Sequence, residues 1–124
     1  MHSSTIADSG APDADEATKL VMASLEDDKA EDILAIDIRG KSSVADTLII
    51  ASGRSQRHVG ALADHITRKL KEAGVKDVRI EGLPQCDWVL VDAGDVIVHI
   101  FRPEVRGFYN IERIWQPDAN AARA

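Results

Sequence analysis

Apolar and polar positions alternate along this chain with two periods, and the switches between them mark the elements. In residues 17–28, Ala17, Leu20, Val21, Ser24 and Leu25 share one helical face, with Asp15 as its cap. Residues 33–38 and 47–51 are β-branched, apolar runs of strand length, separated by turn chemistry around Gly40 and Ser43, and are expected to pair. Ser55 caps a longer helix in which Val59, Leu62, Ala63, Ile66, Leu70 and Ala73 recur at three- and four-residue steps until Gly74 ends it. Residues 78–81 form a third strand, broken by Gly82-Leu83-Pro84, and residues 88–91 and 96–101 form a hairpin across Asp92-Ala93-Gly94-Asp95. After Pro103, residues 104–115 return to helical spacing through Val105, Phe108, Ile111 and Trp115, interrupted by Gly107 and Asn110. The order α-β-β-α-β-β-β-α contains one long crossover helix. The expected fold class is therefore α/β in its α+β form, a single domain with a mixed sheet of about five strands flanked by helices.

The hairpin carries an unusual pattern. Strand alternation places Val96, Val98 and Ile100 on one face and Ile97, His99 and Phe101 on the other, while Trp88 and Leu90 oppose Val89 and Val91. Neither face is polar, so each needs a cover. The helices of so small a domain cover one face fully and the other in part, which leaves apolar and aromatic surface for a partner. All five aromatic residues, Trp88, Phe101, Phe108, Tyr109 and Trp115, lie in this last third of the chain.

Composition narrows the function classes. A chain of 124 residues with 44% hydrophobic content builds one ordinary core. Residues 1–16 are acidic, contain no Lys or Arg, and are expected to be a disordered leader; residues 17–116 form the domain and residues 117–124 a flexible tail. No apolar stretch approaches the roughly 18 residues of a membrane span, no secretory signal is present, and the lone Cys86 suits a reducing, cytoplasmic setting. The net charge of -6 argues against a free-standing nucleic-acid binder. Between residues 39 and 79, however, nine basic residues face four acidic ones, and Arg54, Arg57 and Arg68 are candidates for a surface near RNA, against the plainer reading of a solvated helix face.

Catalytic signatures are weak. His58 and His65 stand seven residues apart, too far along a helix to share one small ion, and no metal ligand is expected. Ser52-Gly53-Arg54-Ser55 lacks the spacing of a nucleophile elbow. A phosphate-handling site at Gly53-Arg54-Ser55, before a helix N-terminus, is the best enzymatic alternative, yet one glycine does not make a phosphate cradle. A nucleotidyltransferase would place two carboxylates at i and i+2 on a strand to hold Mg²⁺, and the only Asp-x-Asp here is Asp13-Ala14-Asp15 in the leader. Asp37, Asp46, Asp92 and Asp95 fit strand edges and turns. No catalytic residue and no cofactor are expected.

Longer stretches carry a resemblance. Lys29-Ala30-Glu31-Asp32-Ile33, Asp37-Ile38-Arg39-Gly40-Lys41-Ser42-Ser43, Ala51 through Val59, Asp87-Trp88-Val89-Leu90-Val91-Asp92, Gly94 through His99 and Arg106 through Trp115 resemble the ribosomal silencing factor family, also called Iojap-like. The likeness covers roughly residues 17–116 in order. It implies a nucleotidyltransferase-like fold without the catalytic carboxylates. It also implies a non-enzymatic translational repressor that binds the large ribosomal subunit through its fourteenth protein and blocks joining of the small subunit when nutrients are scarce. The positions implied to contact that protein are Trp88 and Tyr109, with Leu90, His99 and Phe101 beside them. Gly107 departs from the larger polar residue usual there. A nucleotidyltransferase-type enzyme and a homodimeric interaction module remain alternatives.

Overall fold

The computed structural model describes residues 12–41, 43 and 45–105. Helix α1 (Ala14–Asp27) is followed by strands β1 (Glu31–Asp37) and β2 (Thr47–Ser52), helix α2 (Gln56–Glu72), and strands β3 (Arg79–Glu81), β4 (Trp88–Asp92) and β5 (Val96–Phe101). The five strands form one mixed sheet in the order β1-β2-β5-β4-β3. Only β2 and β5 run parallel, joined through the α2 crossover; the other neighbours are antiparallel.

The central strands are the most buried, as their apolar sequences require. Every residue of β2 is buried, and Val96, Val98, Ile100 and Phe101 of β5 are too. One sheet face meets Ala17, Val21 and Leu25 of α1 and Val59, Leu62, Ala63, Ile66 and Leu70 of α2, closing a core over Ile49, Ala51, Val89, Val91, Val98 and Ile100. On the other face a smaller cluster joins Ile38, Ala45, Leu48, Ile50 and Phe101, with Ile36, Trp88, Ile97 and Val105 packed at its margin. Helices α1 and α2 thus lie on one side of the sheet.

Helix α1 and strand β1 begin earlier than the sequence pattern places them, and β3 begins one residue later, at Arg79. Helix α1 starts at Ala14, not residue 17, and its cap is Asp13, not Asp15: the Glu16 amide donates to Asp13 Oδ1 at 2.8 Å while the Asp13 amide donates to Glu16 Oε1 at 3.2 Å. This reciprocal capping box pulls residues 14–16 of the expected leader into the domain. Strand β1 starts at Glu31, two residues early, because a register shift between Glu31 and Leu34 puts Asp32 at φ +50°. Ser55 caps α2 as expected, its hydroxyl accepting from the His58 amide at 3.1 Å. Of the expected last helix, residues 103–105 are helical; Phe108, Tyr109 and Trp115 lie outside the described residues.

Candidate functional site

The register of the β4–β5 hairpin builds the site. Trp88 pairs with Phe101 and Leu90 with His99, so Trp88 and His99 become diagonal neighbours on the face opposite the helices. The Trp88 indole Nε1–H donates to His99 Nδ1 at 2.9 Å. That bond requires the neutral imidazole with its proton on Nε2. Burial alone pushes the His99 pKa down to about 4, which keeps it in the accepting form at neutral pH. Beneath them Phe101 is fully buried, stacked with His99 at 14° and a centroid distance of 5.9 Å, and 5.0 Å from the Trp88 ring. Three rings therefore share one fixed arrangement.

Glu81, Gly82, Trp88, Leu90 and His99 line a shallow groove of about 360 Å³ at this corner of the sheet. Gly82 is required here: its φ is +101°, and a Cβ would stand 2.2 Å from the Trp88 carbonyl oxygen. Leu83, the next residue in the chain, is half exposed. Of the residues the sequence nominates, Trp88, Leu90 and His99 are brought together and half-buried. Phe101 takes a different place, in the core under Trp88 and not on its surface. Tyr109 lies outside the described residues.

A second cluster, which the sequence pattern did not single out, ties this corner to α2. Asp87 Oδ1 accepts from Gln56 Nε2 at 3.0 Å and from Arg102 Nε at 2.9 Å, while the Arg102 amide donates to the Asp87 carbonyl. The Gln56 hydrogen bond, then the Arg102 charge, hold the Asp87 carboxyl below its usual range. An Asp just before one strand and an Arg just after its hairpin partner was the readable signal. Because Ser52, Phe101 and Trp88 share one row of the sheet, Arg54 and Arg57 project from the same end of the fold. Both are exposed, and among the described residues neither forms an ion pair. Arg68 differs: it lies about three turns further along α2 and is paired with Asp64.

Two donors of the phosphate-handling arrangement are engaged elsewhere. The Gly53 amide donates to the Phe101 carbonyl at 2.9 Å and the Arg54 amide to His58 Nδ1 at 2.9 Å, so both are committed to the fold. Gly53 is needed for packing, since a Cβ there would lie 2.8 Å from Val59 Cγ2. His58 and His65 both serve Asp28: His58 Nε2–H donates to its carbonyl at 2.8 Å, and His65 Nδ1 lies 2.6 Å from its carboxylate. Among the described residues no group of three His, Cys, Asp or Glu converges as a metal site, and no helix is long and apolar enough to cross a membrane. Asp37 accepts from the Arg39 amide and Asp92 from the Gly94 amide, which are turn duties.

Comparison with known proteins gives the family. Residues 11–123 match the family model described as ribosomal silencing factor during starvation. A Zymomonas mobilis protein named ribosomal silencing factor RsfS is 57% identical over 97 residues, covering 78% of this chain and 73% of that protein. A crystal structure of a Chromobacterium violaceum protein superposes with a TM-score of 0.81 at 46% identity, covering 84% of this chain and 87% of the other. A mouse protein named mitochondrial assembly of ribosomal large subunit protein 1 is 30% identical over 99 residues, 77% of this chain and 43% of its own length. The fold, the matched length and these identities together establish that the chain belongs to the ribosomal silencing factor family.

Proposed function

We propose that this protein represses translation by binding the large ribosomal subunit through its fourteenth protein and by occupying space that the small subunit needs. The observation that carries this reading is the half-buried aromatic corner of Trp88, Leu90 and His99, built on a rigid sheet and flanked by a groove. Such a corner suits a hot spot, where one desolvated aromatic anchor supplies most of the affinity. The names of the relatives support the ribosome as the target, since one is a silencing factor and another concerns the ribosomal large subunit. Arg54 and Arg57, at the same end of the sheet, face neighbouring ribosomal RNA in this reading, and Tyr109 completes the contact. No chemistry is needed: a docked domain of 13.5 kDa blocks joining by volume alone.

The test is co-sedimentation with purified large subunits, followed by addition of small subunits. Wild-type protein is expected to travel with large subunits and to keep them from joining. Trp88→Ala removes an anchor of about 2–4 kcal/mol, which is a loss of roughly 30- to 1,000-fold in affinity. Normal binding by Trp88→Ala, with its fold intact by circular dichroism, would refute this docking surface. Transfer of label from nucleotides in the presence of Mg²⁺ would instead favour the enzymatic alternative.

A further inference from the structure

We propose that His99 is a positioning residue, which fixes the Trp88 indole in its docking orientation by accepting its N–H and does not act chiefly as a contact of its own. The inference rests on the docking reading above and adds how the anchor is held. A tryptophan on a strand near the sheet margin has two side-chain torsions to settle, and an anchor that must be ordered on binding loses affinity to that ordering. Here three observations settle it beforehand. The hairpin register places the two side chains diagonally on one face. The indole N–H meets His99 Nδ1 at 2.9 Å, so the polar end of the ring is held by a fixed acceptor. His99 is itself held, stacked on a fully buried Phe101 whose own position is set by the core.

The neutral tautomer is part of the device. A protonated imidazole carries hydrogens on both nitrogens and cannot accept the indole N–H. Burial of His99 disfavours that form. The chain thus uses histidine where a phenylalanine would pack equally well against Phe101 but leave the indole N–H without this partner.

The experiment compares His99→Phe, His99→Asn and Trp88→Phe, reading affinity for purified large subunits and the indole N–H resonance of Trp88 in the free protein. His99→Phe keeps the ring and removes the acceptor; His99→Asn loses the ring but sets an amide oxygen close to where Nδ1 stands. For His99→Phe the expected result is a loss of about 3- to 10-fold in affinity, together with an upfield, broadened indole resonance. His99→Asn is expected to bind more tightly than His99→Phe and to retain the downfield resonance. In a Trp88→Phe background, which has no indole N–H, His99→Phe should cost nothing further. Wild-type affinity in His99→Phe, or an equal loss in the Trp88→Phe background, overturns the positioning role. If Trp88→Ala weakens binding while His99→Phe does not, only this inference fails; if Trp88→Ala binds normally, the docking surface itself is wrong.

Discussion

Acid should destabilise this domain through one imidazole well before its carboxylates are protonated. His99 takes its proton near pH 6.5 in the unfolded chain but only near pH 4 in the fold, because burial disfavours the charged ring. Its pKa is depressed on folding, so its full contribution to stability is present above pH 6.5 and is lost as pH falls toward 4. Each pH unit in that window costs about 1.4 kcal/mol, for a total of about 3 kcal/mol. For a domain whose whole stability is on the order of 5–15 kcal/mol, that is a large fraction. Asp87 acts in a lower window: Gln56 and Arg102 depress its carboxyl, so its contribution persists above about pH 3.8 and fades below. Urea unfolding at half-unit steps from pH 7.5 to 4.5 measures the effect, with the difference between wild type and His99→Phe isolating the imidazole. Wild type should lose stability more steeply than His99→Phe throughout the window. Parallel pH profiles would show that His99 titrates alike in folded and unfolded chains, and would refute the argument.

Two further outcomes follow from packing and charge. Gly53→Ala forces a methyl against Val59 Cγ2 and the Val59 backbone, and is expected to cost about 1–3 kcal/mol in urea or thermal unfolding; paired with Val59→Ala the costs should be less than additive. Replacing Arg54 and Arg57 together with Ala should leave stability unchanged, weaken binding to large subunits, and reduce the dependence of log affinity on log salt concentration by about 1.5–2. An unchanged salt slope would place these arginines away from RNA.

The parts of the fold that were legible in the sequence are those governed by local periodicity. The two faces of β4 and β5 follow directly from alternation at Val89, Val91, Val96, Val98 and Ile100, and α2 from its apolar stripe and Ser55. The start of α1 was missed because the apolar stripe begins at Ala17, whereas the capping pair Asp13 and Glu16 acts three residues upstream. The early start of β1 depends on a bulge at Asp32, whose positive φ an aspartate tolerates but does not by itself signal. At the site, Trp88, Leu90 and His99 could be assigned to one face, but the bond between Trp88 and His99 depends on hairpin register, and Phe101 sank into the core because Ile38, Ala45 and Ile50 pack around it. The Gln56–Asp87–Arg102 cluster is closed by bonds spanning 31 and 15 positions, beyond the reach of any local pattern.

The place of β5 has a consequence for how the protein comes into being. This strand is the last of the sheet in sequence, yet it lies between β2 and β4 and supplies His99 and Phe101. Until residues 96–101 leave the ribosome that makes them, β1–β2 and β3–β4 are two hairpins not yet joined in one sheet, and Trp88 has neither its acceptor nor its floor. In the proposed reading, a growing chain therefore has no docking corner to offer its own ribosome. On that reading, competence to bind arises in the same step that closes the sheet, and a chain that still lacks β5 cannot silence.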